Sequence, residues 1–325
     1  MKVSNSPSGG VWEGFSSSKQ WTLSDGDGTK TVYVQVAWNQ DSQVDPSDPG
    51  SDSIVLDTQG PTGSVVINGD AQYTNSTSVS LSISASDNLS GVSRMKISND
   101  GVNWTECNYS TSKNWTLSGG DGLRTVYVKF RDGAENWGPT CSDDIVLDTT
   151  DPEVSIYWPP SDNGPSSVTF KWYGSDNLTS DSELEYRYVL DEDQGGNWSG
   201  WSSDKSKSYT GLSLHWHTFE VEVKDNAGNT GSDSKTYHVN VPAPQLSIWG
   251  NYGGNVGLSW TEPEGAIWYE VKWWRYNPYQ SWTHTTYSTS TIISGLESGV
   301  TYYFKVRAYC THKPGEWSNT VTAVP

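Results

Sequence analysis

The sequence predicts an all-β protein made of successive two-sheet antiparallel sandwiches, and three observations lead to this prediction. Among its 325 residues are 32 Gly, 18 Trp and 18 Tyr, a composition that favours strands and turns over helices. Apolar and polar residues alternate over many short stretches, as they do in half-buried strands. The same order of sequence phrases also returns after about ninety residues, which indicates tandem domains.

Three segments of the chain carry the repeated pattern. The phrases MKVS, QWTLSDGDGTKTVYV and SIVLDT of the first copy (1–4, 20–34, 53–58) return as MKIS, NWTLSGGDGLRTVYV and DIVLDT in the second copy (95–98, 114–128, 144–149). A looser third copy contains NWSGW at 197–201 and FEVEVKDNAGN at 219–229. Because the phrases agree in both order and spacing, we expect the copies to share one fold.

Individual strands follow from the period-two pattern within each copy. Residues 79–85, 125–131 and 219–224 alternate apolar and polar side chains, which predicts strands with one buried face. Gly-Asp-Gly at 26–28 and at 120–122 supplies residues that tolerate positive φ, so we expect a turn before each strand that follows.

The final segment, 243–325, has a different pattern. Leu296, Gly299 and Tyr302 have the spacing of the Leu, turn Gly and corner Tyr of fibronectin type III domains, which this segment resembles. The resemblance implies a seven-stranded sandwich in which Tyr302 bonds back to the preceding loop. Ser298 departs from the pattern, since the family usually has Pro there.

The three copies resemble the immunoglobulin-like repeats of large bacterial and archaeal surface proteins of the adhesin type. The resemblance depends on the linker phrases DTQGP at 57–61 and DTTDP at 148–152 and on the loop DNAGN at 225–229. It implies an elongated rod with four parts: an incomplete immunoglobulin-like repeat (1–58), two further repeats (59–149 and 150–242) and a fibronectin type III domain (243–325).

The first copy starts at a later point of the repeat than the second copy does. Residues Pro61–Arg94 precede Met95 in the second copy, whereas Met1 is the equivalent position of the first copy. The first copy is therefore expected to lack its opening strands, which would leave sheet edges and core side chains open. Two explanations remain: the chain is a fragment of a larger protein, or another chain supplies the strands.

Acidic residues recur in the linkers and loops of the repeats. Calcium needs six to eight oxygen ligands, and acidic loops at domain ends supply them. The resemblance to the adhesin repeats suggests a calcium site formed by the linker residues Asp57 and Asp148 and the loop residues Asp132 and Asp225. Asp87 and Asp176 lie early in their repeats and could join as ligands from the same end. The alternative is that these side chains only accept hydrogen bonds from turn backbones.

Exposed aromatic residues could also stack on sugar rings. The candidates for glycan binding are Trp273, Trp274 and Trp282, and the adjacent pair must point to opposite faces of its strand. The alternative is that these side chains pack in the core or on the sheet surface. Trp12, Trp104 and Trp198 recur with the repeat, which favours a structural role for them.

Two kinds of covalent feature are compatible with an extracellular protein. Cys107 and Cys141 lie in one repeat, where neighbouring strands could bring them together as a disulfide; two independent thiols are the alternative, and Cys310 stands alone. Asn-x-Ser/Thr sequences permit glycosylation at seven positions: Asn75, Asn88, Asn103, Asn108, Asn114, Asn177 and Asn197.

Charge and motif content exclude several functions. The formal net charge of −18 repels phosphate backbones, and no apolar stretch approaches the roughly 20 residues that span a bilayer, so we expect neither nucleic-acid binding nor a membrane span in this segment. No Gly-x-Ser-x-Gly, His-Glu-x-x-His or phosphate-binding loop is present, so we expect no enzyme.

The sequence therefore predicts an extracellular structural or adhesive stalk or filament segment. Its expected partners are neighbouring copies or a larger parent chain, together with surface glycans or proteins. The alternatives are a glycan-binding region of a secreted enzyme and a virion fibre or decoration protein.

Overall fold

The computed structural model describes residues 1–37, 49–310 and 313–325, and almost all of its regular structure is β-strand. One short 3₁₀ helix, Glu192–Gln194, is found in the described part of the chain. The chain divides into two compact units, Met1–Thr149 and Thr150–Pro325. No helix among the described residues is long and apolar enough to cross a membrane. The all-β prediction is confirmed.

The first copy forms a single sheet at the start of the first unit. Its strands are β1 (Lys2–Ser4), β2 (Gly28–Gln35) and β3 (Gly50–Leu56). They pair antiparallel in the order β1-β2-β3. Among the described residues of this copy, no second sheet covers them.

The second copy forms a complete sandwich in the same unit. Its strands are β4 (Thr62–Ile67), β5 (Tyr73–Thr74), β6 (Ser78–Ser86), β7 (Val92–Ser98), β8 (Thr105–Asn108), β9 (Ser112–Thr116), β10 (Gly122–Asp132) and β11 (Cys141–Leu147). One sheet has the order β5-β11-β10-β7-β8 and the other has the order β4-β6-β9. Their inner faces enclose a core that includes Leu81, Met95, Val128, Phe130 and Ile145, each at most 1% exposed.

The second unit begins with the third copy. Its strands are β12 (Glu153–Trp158), β13 (Asn163–Gly164), β14 (Val168–Ser175), β15 (Glu185–Leu190), β16 (Ser206–Tyr209), β17 (Trp216–Lys224) and β18 (Thr230–Val239). The sheets have the orders β12-β14-β16 and β13-β18-β17-β15. Phe170 and Phe219 stack across the sandwich with ring centroids 4.2 Å apart, next to the buried Trp172.

The last segment of the second unit is a further sandwich. Its strands are β19 (Leu246–Tyr252), β20 (Asn255–Trp260), β21 (Trp268–Arg275), β22 (Gln280–Thr286), β23 (Ser290–Ile293), β24 (Tyr302–Cys310), β25 (Lys313–Trp317) and β26 (Val321–Ala323). The order is β19-β20-β23 in one sheet and β22-β21-β24-β25 in the other, with β26 also on β24. The Glu297 N–H donates to the Tyr302 hydroxyl at 3.2 Å, which confirms the expected bond between Tyr302 and the preceding loop.

Of the two alternatives for Cys107 and Cys141, the structure contains separate thiols and no disulfide between them. Cys107 lies in β8 and Cys141 in β11, and two strands, β10 and β7, separate them in the sheet. Strands are about 4.8 Å apart, so the two backbones are roughly 14 Å apart, whereas a disulfide needs Cα atoms within about 7 Å. Cys107, Cys141 and Cys310 are all free thiols.

Candidate metal centre and aromatic surfaces

Three of the predicted acidic residues meet at one end of the second copy. Asp57 follows β3, Asp87 follows β6 and Asp132 ends β10. One carboxylate oxygen from each lies within 4.8 Å of the other two. Asp57 and Asp132 are 7% and 1% exposed, so two negative groups are largely removed from water. The linker residue of the first copy thus lies against two residues of the second copy.

Hydrogen bonds orient Asp57 and Asp132. The Ser90 N–H donates to Asp57 Oδ2 at 3.0 Å and the Gln59 N–H to Oδ1 at 3.2 Å. The bonds from Ser90 and Gln59 lower the pKa of Asp57 despite its burial, because they favour the charged carboxylate. Asn136 donates its backbone and side-chain N–H groups to Asp132, both at 2.8 Å, and bonds the Asp57 carbonyl at 2.9 Å.

Asp87 has one oxygen in a turn and one without a partner. Its Oδ2 accepts the N–H groups of Leu89 at 3.0 Å and Gly91 at 2.9 Å, as expected for a turn. Its Oδ1 is buried and has no hydrogen-bond partner among the residues that the structure describes. A buried carboxylate oxygen without a partner is costly, and a divalent cation ligated by oxygen would satisfy it. The arrangement therefore serves a turn and also fits a calcium ion.

The third copy repeats part of this arrangement within the second unit. Asp176 Oδ2 accepts the N–H groups of Leu178 at 2.9 Å and Thr179 at 2.7 Å, while its Oδ1 is buried without a partner. Carboxylate oxygens of Asp176 and Asp225 lie within 4.8 Å of each other. The remaining candidate, Asp148, belongs to the first unit, where it follows β11.

The three aromatic candidates lie on two faces of one sheet. Trp273 stacks on Trp282, with centroids 6.1 Å apart, and Trp273 packs against the core of the last segment. Trp274 is on the opposite face and stacks on Tyr303 at 5.5 Å. The expectation that Trp273 and Trp274 point in opposite directions is confirmed, and the three side chains do not form one sugar platform.

Two further tyrosines extend the outer face beside Trp274. Tyr276 and Tyr279 are 56% and 61% exposed. Tyr276 packs edge-on against Tyr303 at 5.2 Å and lies 5.8 Å from Tyr279. Sequence reasoning missed these residues. Tyr276 stands two positions after Trp274, so the strand's period of two could have indicated that both belong to one face.

The recurring tryptophans pack against cations. Lys96 lies 5.1 Å from the ring centre of Trp104, and Arg187 lies 4.9 Å from that of Trp198. Lys2 lies 5.5 Å from Trp12. A cation on the neighbouring strand thus covers the tryptophan in each copy, which agrees with a framework role.

All seven potential glycosylation positions are exposed: Asn75, Asn88, Asn103, Asn108, Asn114, Asn177 and Asn197. Exposure is what a glycan on Asn requires.

Comparison with known proteins identifies one domain. Residues 240–324 match the family model of the fibronectin type III domain. No curated protein matches the chain.

Solved structures with similar folds contain fibronectin type III modules. The FN1–FN3 domains of chicken CNTN1 are 13% identical, with 82% of this chain and 99% of that chain covered and a TM-score of 0.25. A two-domain segment of chicken tenascin is 15% identical, with coverages of 54% and 100% and a TM-score of 0.39. The fibronectin(III)-like modules of Clostridium thermocellum CbhA are 13% identical, with coverages of 54% and 93% and a TM-score of 0.37.

Proposed function

We propose that this chain is a non-catalytic structural and adhesive segment that acts outside the cell as part of a stalk or filament. The observation that carries the proposal is the succession of sandwich-type segments along one chain, ending in a fibronectin type III domain at residues 240–324. Domains of this type commonly serve as structural or adhesive modules. Its partners are neighbouring copies, a larger parent chain, or glycans and proteins of a surface.

Small-angle X-ray scattering of the full chain tests whether the segments form an extended row. A compact globule of this length would have a radius of gyration of about 20 Å. We expect a value well above that figure. A value close to 20 Å would contradict the stalk, because the segments would then be folded back on one another. Protease treatment of intact cells should cleave the chain if it is a cell-surface protein. A virion fibre would instead be cleaved on purified virus particles.

We further propose that a calcium ion binds between Asp57, Asp87 and Asp132 and joins the linker after β3 to the second copy. The buried Oδ1 of Asp87, which lacks a hydrogen-bond partner, supports this site. Three carboxylates within 4.8 Å of one another also repel, and a divalent cation would remove that repulsion. A cation at this point would restrain the linker between the first two copies.

Calorimetric titration of calcium into the full chain, after dialysis against a chelator, tests the site. We expect binding heat and a rise in the thermal midpoint, since a ligand at 100 times its Kd stabilises the folded state by about 2.7 kcal/mol. Asp87→Asn should reduce the heat and the shift. Asp144→Asn removes the same charge from an exposed position on β11 and should change neither. If the wild-type chain shows neither binding heat nor a shift of the thermal midpoint, these carboxylates only accept hydrogen bonds from turn backbones.

A second candidate function is glycan binding by the outer face of the last segment. The exposed rings of Tyr276 and Tyr279 beside Trp274 favour it, because exposed aromatic faces can stack on sugars. A glycan array should then report binding that Trp274→Ala and Tyr276→Ala remove. Tyr252→Ala, a change of an exposed ring on the other sheet, should keep it. Equal binding by all variants would exclude this face.

A further inference from the structure

The outer face of the larger sheet in the last segment carries two lysines that lie directly opposite each other, here called the lysine pair. Lys272 of β21 faces Lys305 of β24 in the antiparallel register. Like charges in this position repel and destabilise a sheet. Burial lowers the pKa of Lys305, and the charges of Lys272 and Arg307 lower it further. The lysine pair therefore weakens the sheet unless a negative group joins it.

The acidic side chain beside the lysine pair has other partners. Glu270 lies on the same face of β21, two positions before Lys272. Its Oε2 accepts hydrogen bonds from Arg307 Nε and from the Tyr309 hydroxyl, each at 2.8 Å. On the other side of β21, Thr283 of β22 lies opposite Lys272. Neither lysine of the pair forms an ion pair within the described part of the chain.

The second copy has two equivalent lysines together with an acid. Its larger sheet contains β8, β7 and β10 side by side, as the last segment contains β22, β21 and β24. Lys96 of β7 faces Lys129 of β10, and Glu106 of β8 lies opposite Lys96. Thr283 therefore occupies the position of Glu106, and the last segment lacks the carboxylate that the second copy has beside its lysines.

The third copy has opposite charges at the corresponding positions. Arg187 of β15 lies opposite Glu222 of β17, and their side chains form an ion pair. Glu222 and Lys129 both stand three positions before the loop Asp of their repeat. Among the sandwiches that the structure describes, only the last segment therefore has two facing lysines with no acid opposite either of them. A carboxylate from a ligand would complete the arrangement that the other copies complete with their own side chains.

Aromatic rings border the lysine pair. Trp274 and Tyr303 are the next outward residues of β21 and β24, and their ring centroids are 5.5 Å apart. Lys305 Nζ lies 4.2 Å from the ring centre of Trp317. Two residues along a strand span about 6.6 Å. A ligand whose ring packs on Trp274 can therefore place a negative group beside the lysines.

We propose that this face binds an acidic glycan, with a carboxylate between Lys272 and Lys305 and the sugar ring against Trp274. The inference rests on the glycan binding proposed for the same face and adds the class of sugar. The carboxylate takes the place that Glu106 has in the second copy. The net charge of −18 repels partners that carry a charge on every unit, such as nucleic acids, so a glycan with isolated acidic sugars fits this chain better.

A glycan array with matched acidic and neutral members tests the inference on the full chain. Sialyllactose is compared with lactose, and hyaluronan oligosaccharides are compared with the same molecules after reduction of their carboxyl groups. We expect the acidic member of at least one pair to bind about tenfold more tightly or better, which is the effect of one hydrogen bond to a charged group. Lys272→Gln should remove this preference.

Thr283→Glu provides a second test that removes neither a lysine nor an aromatic ring. It supplies an acid in the position of Glu106, so it should also abolish the preference for acidic glycans. Because the new carboxylate relieves the repulsion within the lysine pair, amide exchange in β21 should not become faster. Ser290→Glu adds the same charge at an exposed position on the other sheet and should leave the preference unchanged.

The outcomes separate this inference from the glycan function itself. A preference for acidic glycans that Lys272→Gln and Thr283→Glu both remove supports the inference. Equal binding of acidic and neutral members, lost in Trp274→Ala, overturns the acidic ligand and keeps glycan binding on this face. An acidic preference that neither Lys272→Gln nor Thr283→Glu changes assigns the ligand to another surface and also overturns the inference. Absence of binding to every glycan overturns both, and capture of polyglutamate that Lys272→Gln abolishes would then assign the lysine pair to acidic peptides.

Discussion

Truncation of one isoleucine in each of two equivalent strands should have very different costs. Ile145 in β11 and Ile54 in β3 occupy the same position of the repeat, and each is followed by Val-Leu-Asp-Thr. Ile145 is 1% exposed between two sheets, whereas Ile54 is 60% exposed on the uncovered face. We therefore expect Ile145→Ala to destabilise the second copy strongly and Ile54→Ala to have little effect.

The exposures set the size of the difference. Ile→Ala removes about three methyl or methylene groups, at about 0.8 kcal/mol for each when buried, or roughly 2.4 kcal/mol in all. A residual cavity raises the cost at Ile145 to about 3–4 kcal/mol, within the measured range for such changes. Ile54 has only its buried fraction to lose and leaves no cavity, so about 1 kcal/mol or less is expected.

Hydrogen exchange of the full chain measures both changes, because a multidomain protein has no single unfolding free energy. Exchange in β10 should accelerate by about two to three orders of magnitude in Ile145→Ala, and exchange in β2 by less than about tenfold in Ile54→Ala. Equal acceleration would refute the reasoning, since it would mean that Ile54 is buried in solution.

Three further predictions concern individual polar groups. The pKa of Asp57 is lowered from 3.8, so the stability that its carboxylate contributes should be full above pH about 4 and fall with further acidification. Asp57→Asn should weaken this pH dependence of the thermal midpoint. A variant with an unchanged pH profile would contradict the role of Asp57. Tyr302→Phe should destabilise β24 by about 1 kcal/mol, because the hydrogen bond from the Glu297 N–H is lost. The loss should appear as faster amide hydrogen exchange in β24. Unchanged exchange would mean that the bond contributes nothing to stability. Burial raises the pKa of Tyr209 to about 12, so its stabilising effect should be lost as the pH rises from 10 towards 12. Tyr209→Phe should reduce the size of the late step in tyrosinate absorbance, and a step of unchanged size would contradict the assignment.

Repetition made much of the fold predictable. Alternation in 79–85 and 125–131 predicted strands that the structure contains as β6 and β10. The resemblance of the Leu296, Gly299 and Tyr302 pattern to fibronectin type III domains implied the bond at the corner of the last segment. These features are local, because each depends on side chains within one strand or one turn.

Strand order was not predictable in the same way. The sequence brings Cys107 and Cys141 within one repeat, but β10 and β7 lie between their strands, and this order depends on contacts across the whole sandwich. Local alternation does assign Trp273 and Trp274 to opposite faces. It does not say which face packs on the core, and the structure shows that it is the face of Trp273.

The acidic cluster was predictable in its members and not in its details. The resemblance to adhesin repeats suggested a set of six acidic residues, and the structure brings three of them, Asp57, Asp87 and Asp132, together. Which oxygens remain without a partner depends on turns such as the one that binds Asp87 Oδ2 to Gly91. A sequence pattern does not distinguish the two oxygens of one carboxylate.

The shared sequence pattern of the first two copies also affects how the chain folds. Residues 62–86 follow the first copy directly and precede β7, so during synthesis they emerge before their own partner strands. At that moment the equivalent strands of a neighbouring chain offer the same pairing pattern. Tandem domains that share a sequence pattern are prone to exchange segments between molecules. Refolding yield at high protein concentration should therefore depend on how quickly β7 and β10 enclose residues 62–86.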